Sequence, residues 1–249
     1  MCTVIYLPGK GRQFFASLRD ESPKRLRAFL PEIVSHENIN ILAPTDPVAG
    51  GTWIGVNNLG HVIILLNGAF KNHQKQNSYL KSRGLIVTEL LTSVDPVMDW
   101  DEMDLEKIEP FTLIVWRNAD LFQLVWDGLE KYSSSLDPAV PYIWSSSTLY
   151  DAPAKKQRQS KFQDWISMKP ELSSSTVLDF FRSYTENENG FMMNRSEDLK
   201  TLSYAFIELQ QELFAELRYH DLLLDALHHK NIQLNKKPNH YKLQIVDPC

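Results

Sequence analysis

The stretch Cys2-Thr3-Val4-Ile5-Tyr6-Leu7 opens the chain and decides how the rest is interpreted. It is rich in β-branched and aromatic residues, which favour a strand, and Pro8-Gly9-Lys10-Gly11 follows with turn residues. Residues 13–18 form a second apolar run at hairpin distance. We therefore predict that the chain begins with a β-hairpin, in which Cys2 lies close to residues 19–21 at the end of the second strand.

The pattern along the rest of the chain predicts an α+β protein. Apolar runs separated by turn residues predict strands, and runs bounded by Ser or Pro predict helices. A helix competes with two paired strands over residues 201–219, because Glu, Leu, Ala and Gln dominate there. The element order predicts one domain over residues 1–249, with residues 231–249 as a peripheral tail. The predicted strands are 51–56, 61–66, 111–116, 121–126, 142–144, 201–209, 213–219 and 241–246, and the predicted helices are 84–91 (with Ser82 as N-cap), 153–168 and 175–184.

Composition excludes several classes of function. The 249-residue chain has a formal net charge of −5, and 43% of its residues are hydrophobic, which is ordinary for a globular protein. The mild acidic excess argues against nucleic acid as a partner, because phosphate binding needs a clustered basic face. The longest apolar run, residues 62–66, is far below the ~20 residues that cross a bilayer. With no signal peptide and only two cysteines, we expect a cytoplasmic protein that acts on a small molecule and has no integral membrane association.

Cys2 offers the most specific chemistry in the sequence. Removal of Met1 would leave a thiol and a free α-amine on one residue. The reference pKa is about 7.7–8.0 for the amine and about 8.5 for the thiol, so the amine can accept the thiol proton near neutral pH. One residue would then supply both nucleophile and general base. The alternative is a small buried cysteine that only begins a strand.

Three further residues suit the same chemistry. A guanidinium such as Arg19 stabilises a thiolate or holds a substrate carboxylate, and a carboxylate such as Asp20 can orient an α-ammonium group. The side chain of Asn67, with a backbone N–H of the turn at Gly68, would form an oxyanion hole. Each has a plainer alternative, which is a surface salt bridge for the charged pair and an ordinary turn for Asn67-Gly68.

Four short motifs in order give the N-terminal region a family resemblance. Met1-Cys2-Thr3-Val4 opens the chain and Arg19-Asp20-Glu21 ends the second strand. Gly50-Gly51-Thr52-Trp53-Ile54-Gly55 starts the next hairpin and Ser82-Arg83-Gly84 opens a helix. Together they resemble the NRDE family, also called the transport and Golgi organisation family, across residues 1–95. That family is similar to N-terminal-nucleophile (Ntn) hydrolases such as the penicillin V acylases and bile salt hydrolases.

The resemblance implies a four-layer αββα sandwich with Cys2 as its nucleophile. It also implies that Arg19, Asp20 and Asn67 are catalytic. The implied activity is hydrolysis of a non-peptide C–N (amide) bond of a small molecule, with no cofactor and no metal. The candidate substrate-binding residues, taken from the motifs and from the serine-rich middle of the chain, are Glu21, Thr52, Trp53, Arg83, Ser146 and Arg158.

The sequence departs from the family pattern in three places. Leu18 stands where the first motif Asn is expected, and Asp20 follows Arg19 directly, whereas the acylases place two residues between them. Where a second acylase Asn is expected, the candidates are Thr112 and residues 145–147. These departures favour an alternative on the same fold, a non-catalytic ligand-binding or haem-handling protein whose Cys2 thiolate could hold haem iron. A further alternative is an interaction protein with a dead site.

The C-terminal histidines do not predict a metal site. His220 and Asp221 are adjacent, so they point to different faces of a helix or a strand. We interpret His228-His229-Lys230 as the positively charged end of a helix. No Cys partner or carboxylate cluster completes a zinc site, and the sequence has no Gly-rich phosphate loop.

Overall fold

A computed structural model describes residues 3–76, 78–184, 190–196, 198–210 and 213–235, the side chains of residues 195 and 196 excepted. The strands in these ranges are β1 (Thr3–Gly9), β2 (Arg12–Glu21), β3 (Phe29–His36), β4 (Ile39–Thr45), β5 (Ile54–Asn57), β6 (Val62–Asn67), β7 (Phe111–Arg117), β8 (Asp120–Trp126), β9 (Lys131–Leu136), β10 (Tyr142–Ser145), β11 (Asn194–Ser196), β12 (Leu199–Gln210), β13 (Phe214–Asp221) and β14 (Ala226–Gln233). The helices are α1 (Arg83–Leu91), α2 (Pro96–Glu102), α3 (Ala152–Ser167) and α4 (Ser174–Ser183).

The strands form two seven-stranded sheets in which neighbouring strands are antiparallel. The first sheet has the order β10-β1-β2-β12-β13-β14, and β11 pairs with β12. The second sheet has the order β3-β4-β5-β6-β7-β8-β9. The opening hairpin is confirmed from Thr3 onward, because Thr3 pairs with Leu18 and Gly9 with Arg12. The start of β1 and the end of β2 therefore lie at the same end of the first sheet.

Alternation along β1 distributes its side chains between two cores. Val4 and Tyr6 lie in the core between the sheets, where the Tyr6 ring stacks on Trp116 of the second sheet at 5.8 Å. Ile5 and Leu7 face the opposite side, where α3 and α4 cover the first sheet. Burying each such side chain stabilises the fold by about 1.5–3 kcal/mol.

The second sheet is covered in the same way by α1 and α2. Buried residues of α1 such as Leu90 and Leu91, together with Trp100 of α2, belong to the core of that sheet. The layer order is thus helices, sheet, sheet, helices. The predicted four-layer αββα sandwich is confirmed.

Helix starts follow the local signals in the sequence. The Ser82 hydroxyl accepts from the Gly84 N–H, so Ser82 is the N-cap of α1 as predicted. Ser173 and Thr176 form a capping box at the start of α4. In the described ranges, no helix is both long and apolar enough to span a membrane.

Two parts of the structure differ from the sequence-based prediction. β3, β4, β9, β11 and α2 were not predicted. In β3, seven of the eight residues are exposed and show no apolar alternation. The interpretation of His228-His229-Lys230 as a helix end is wrong, because these residues pair with Tyr219, Arg218 and Leu217 in β14. Hydrogen bonding to β13 along the whole hairpin outweighs a weak local preference. The pairing of β12 with β13 excludes the competing helix over residues 201–219 for the described residues.

Residues 231–233, which were predicted to belong to a peripheral tail, lie in β14 instead. Ile232 is buried in the inter-sheet core and belongs to β14. The Asn235 N–H donates to the Asn58 carbonyl at 2.7 Å, which holds the chain against the second sheet. Residues 236–249, with the predicted strand 241–246, lie outside the described residues.

Candidate functional site

Several strand ends meet at one cleft between the two sheets. β1 begins at Thr3, which pairs with Ser145 at the end of β10. β2 ends just beyond Arg19 and Asp20, and β6 of the other sheet ends at Asn67. The ends of β2 and β6 line a cleft with a volume of about 680 Å³, whereas Thr3 and Ser145 do not line it.

Of the ten predicted site residues, seven line this cleft, two described ones do not, and one lies outside the described residues. Cys2 lies outside the described residues, although Thr3, which follows it in the chain, begins β1. Ser146 lines a separate cavity, and Arg158 lines neither. The structure brings together in the cleft Arg19, Asp20, Glu21, Thr52, Trp53, Asn67 and Arg83.

Arg19 is held between an aromatic ring and a carboxylate. Its guanidinium carbon lies 4.8 Å from the ring centre of Trp53, and its Nη2 donates to Asp46 Oδ2 at 2.9 Å. Only 5% of Arg19 is exposed. A cation–π contact and a charge-assisted hydrogen bond together restrict the guanidinium to one orientation beside the cleft.

Asp46 organises this side of the cleft, although no sequence motif indicated its role. Besides Arg19, it accepts two hydrogen bonds from Arg25, at 2.9 and 3.1 Å. It also accepts from the N–H groups of Val48 and Ala49. Burial is the largest single influence and by itself would raise the pKa of Asp46, but the bonds from Arg25, Ala49 and Val48 outweigh it and lower the pKa. Asp46 is therefore a positioning residue for Arg19.

Asp20 lies opposite an irregularity in the neighbouring strand. Its Oδ1 accepts from the Thr201 hydroxyl at 2.5 Å. The register between β12 and β2 shifts here, since Thr201 pairs with Asp20 but Ser203 pairs with Arg19, so Leu202 is the extra residue of a β-bulge. Bulges redirect side chains and are common beside functional sites. Arg19 and Asp20, which are adjacent in β2, both line the cleft beside this bulge.

Arg83 and Glu109 form a second ion pair in the cleft. Arg83 Nη2 lies 2.9 Å from Glu109 Oε2, and His73 Nε2 lies 3.2 Å from Glu109 Oε1. Burial lowers the pKa of Arg83, and Glu109 opposes this effect. Arg83 was predicted from the motif at the start of α1, but neither Glu109 nor His73 was, because the ion pair joins separate parts of the chain.

The surroundings of Asn67 correct one part of the predicted oxyanion hole. Among the described residues, no hydrogen bond reaches the Asn67 carboxamide, whereas its backbone carbonyl accepts from Ser146 Oγ at 2.8 Å. The Gly68 N–H donates to the Pro110 carbonyl at 3.0 Å. A backbone N–H of Gly68 is therefore not available for an oxyanion, and the side chain of Asn67 is the donor that remains.

Arg158 lies in a closed site outside the cleft. It is fully buried, with its guanidinium between the rings of Tyr150 and Phe191 at 4.1 and 4.4 Å. It donates to Ser145 Oγ at 2.8 Å and also to the Thr3 hydroxyl. Arg158 thus links α3 to the first residue of β1, and its surroundings leave no surface for a substrate.

Metal ligands are not grouped in the part of the chain that the structure covers. No cluster of three or more His, Cys, Asp or Glu side chains occurs there. His220 instead bonds Asp225 at 2.8 Å.

Three solved structures of similar fold represent two hydrolases. A Caenorhabditis elegans N-acylethanolamine-hydrolyzing acid amidase ortholog matches with a TM-score of 0.57 and 9% identity, over 83% of this chain and 92% of that one. Conjugated bile acid hydrolase from Clostridium perfringens matches in an arginine-to-leucine variant with a TM-score of 0.52 and 9% identity, over 96% of this chain and 100% of that one. Its cysteine-to-alanine variant gives 0.50 and 10%, over 97% and 100%. At such low identity these matches show the Ntn-hydrolase fold alone.

A match to a family model identifies the family more directly than similarity of fold does. A search of curated protein sequences finds no significant match. The model of one protein family, described as Transport and Golgi organisation 2, matches residues 1–229, which confirms the resemblance seen in the N-terminal motifs. The match covers far more than half of the 249 residues, and the chain therefore belongs to the Transport and Golgi organisation 2 family.

Proposed function

We propose that the protein is an N-terminal-cysteine amidohydrolase that cleaves a non-peptide amide bond of a small molecule. The observation that supports this most is the shared cleft of Arg19, Asp20 and Asn67. It lies at the end of the first sheet where Thr3, the residue after Cys2, begins β1. The fold is that of hydrolases which include amidases.

In the proposed reaction, Cys2 supplies both the general base and the nucleophile. After removal of Met1, the α-amine takes the thiol proton, and the thiolate attacks the amide carbonyl. The Asn67 carboxamide donates to the oxyanion that forms. The C–N bond then breaks, the amine leaves with the proton, and water hydrolyses the thioester to release the acid and the free thiol. Asp20 orients the α-ammonium group.

Arg19 has an electrostatic role in this scheme. Its guanidinium is already engaged by Asp46 and by the face of Trp53, so it is not free to form a two-pronged contact with a substrate carboxylate. A fixed positive charge beside the cleft still lowers the free energy of a nearby thiolate. We therefore assign Arg19 to stabilisation of the nucleophile and not to recognition of the substrate.

Steady-state kinetics of variants at Cys2 and Asn67 test the proposal. The substrates to try first are an N-acylethanolamine and a conjugated bile acid, the substrate types named for two proteins of similar fold. We expect Cys2→Ala to abolish hydrolysis. Asn67→Leu should lower kcat about 10²–10³-fold, because it removes one oxyanion donor from a side chain of similar shape.

The matched control is Asn72→Leu, since Asn72 also lines the cleft but lies in the loop after β6. It should retain kcat within a factor of about three. Full activity of Cys2→Ala, or equal kcat for the two Asn variants, would contradict the proposed mechanism.

A second candidate function is ligand binding without hydrolysis. It is favoured by the hydroxyls near Asn67, which donate to backbone carbonyls and not toward a substrate. Thr112 Oγ1 donates to Gly68 O at 3.0 Å, Ser146 Oγ to Asn67 O, and Ser147 Oγ to Ala69 O. These are the residues expected to replace a second oxyanion donor. On this reading, wild type and Cys2→Ala would bind the same amide with equal affinity, and wild type would not turn it over.

Haem does not fit as the ligand of the cleft. Among the described residues, eight side chains that are ordinarily charged at neutral pH line it, namely Arg19, Asp20, Glu21, Arg25, Asp46, Lys75, Arg83 and Glu109. The two faces of a haem ring need apolar cover, and placing them against charged groups would remove those groups from water at a cost. A small polar group is the better occupant.

A further inference from the structure

A second cavity shares the wall that Asn67 provides. It has a volume of about 280 Å³ and differs from the main cleft in chemistry. Lys155 is the one charged side chain among the described residues that line it. Its apolar lining is formed by Leu66, Phe70, Val125, Ile143 and Trp144.

Hydrogen bonds hold the walls of this cavity in place. Ser146 and Ser147 donate to the backbone of residues 67 and 69, which fixes the turn after β6. Trp144 Nε1 donates to Gln123 Oε1 at 2.8 Å, which fixes the indole at the rim. The hydroxyl and indole donors of these side chains are thus committed to the protein, and Lys155 is the charged donor that the described lining offers to a ligand beside the neutral amides of Asn67 and Gln159.

The Lys155 ammonium group supplies the positive charge that lines this cavity. It lies in the first turns of α3, is half-buried, and forms no salt bridge with any carboxylate that the structure describes. Burial lowers its pKa, with no anion to offset the effect. Gln159 lines the cavity one turn further along α3, so both side chains project from the same helix face.

We propose that this cavity binds a small amphiphilic monoanion, with its carboxylate on Lys155 and its hydrocarbon part against Phe70, Ile143 and Trp144. A single lysine matches a single negative charge, whereas a phosphate dianion needs several donors. The apolar lining supplies the rest of the binding free energy. The inference concerns binding and does not depend on the proposed hydrolysis.

Titration calorimetry with octanoate tests the assignment. We expect octanoate to bind Lys155→Met about tenfold more weakly than wild type, because the charge-assisted hydrogen bond is lost. Lys156→Met is the matched control, since Lys156 is the next residue of α3, is exposed and lies outside the cavity lining. It should bind as wild type does. Equal affinity for octanoate in both variants, or binding of 1-octanol as tight as that of octanoate, would overturn the proposal.

Chemical labelling of the unmodified protein gives a test that does not depend on a variant folding. Trinitrobenzenesulfonate reacts with neutral amines, so at pH 8 it should modify Lys155 faster than Lys156 in peptide mass maps. Octanoate should slow the labelling of Lys155 and leave that of Lys156 unchanged. Labelling of Lys155 that octanoate does not slow would contradict the proposed site.

Discussion

Two buried arginines, Arg19 and Arg158, lie near the start of β1 and serve different purposes. Arg19 borders an open cleft, and its charge is balanced by Asp46 at 2.9 Å. Arg158 is sealed between the rings of Tyr150 and Phe191, on the face of the first sheet that α3 covers. The comparison shows that one arginine is ion-paired at the border of an open cleft, whereas the other is enclosed by aromatic rings in the interior.

The largest loss of stability is expected from a substitution that disrupts the closed site around Arg158. Arg158→Met should lower the free energy of unfolding by about 3–5 kcal/mol, because removing a fully buried guanidinium leaves its oxygen partners, including Gly190 O at 2.6 Å, without a donor. Urea denaturation measures the change. Arg12→Met is the control, since the Arg12 side chain is 53% exposed in its pair with Glu208 and should cost less than about 1 kcal/mol. Similar costs for the two variants would mean that the closed site is not structural.

A smaller effect is expected from the open site. Asp46→Ala removes the partner of Arg19 and Arg25 and the acceptor for two backbone N–H groups. We expect a loss of about 2 kcal/mol in the same urea experiment. Lys24→Ala is the control, because its pair with Asp198 is exposed on both sides and should contribute nothing measurable. If Asp46→Ala were as stable as wild type, Asp46 would not position Arg19.

The smallest expected effect is on how the free energy of unfolding depends on pH, through the charge of Asp46 at the open site. Asp46→Asn keeps an oxygen for Val48 and Ala49 and removes only the charge. Because the pKa of Asp46 is lowered in the folded protein, its charge stabilises the fold fully above the unfolded value of about 3.9 and loses that contribution as the pH falls through the folded pKa. The stability difference between wild type and Asp46→Asn should thus be constant near pH 6–7 and shrink below about pH 4. A difference that grows toward acid would contradict the assigned shift.

Local signals in the sequence predicted much of the fold. The hairpin that starts at Thr3, the Ser82 cap of α1 and the hairpin of β7 and β8 all depend on turn and capping residues close in sequence. The four-layer order came from the family resemblance and not from periodicity. β3 could not be predicted in this way, because its side chains are mostly exposed and only pairing with β4 defines it.

The candidate site was predictable only in part, since its side chains act through distant partners. Arg19 and Asp20 follow from the motif at the end of β2, but Asp46 is 27 residues from Arg19, and only the fold joins them. Arg158 is 155 residues from Thr3, so nothing local indicated that it would be sealed against β1. Long-range ion pairs and burial, unlike caps and turns, leave no short signature in the sequence.

The central claim is that Cys2 is a free N-terminal nucleophile, and its labelling tests this most directly. The measurement is the intact mass of the purified protein, followed by the rate of iodoacetamide labelling at pH 7 with Cys249 as the internal reference. We predict that the mass of Met1 is absent and that Cys2 labels at least about tenfold faster than Cys249, because only a stabilised thiolate reacts quickly at that pH. Retention of Met1, or a Cys2 that labels no faster than Cys249, would contradict the account.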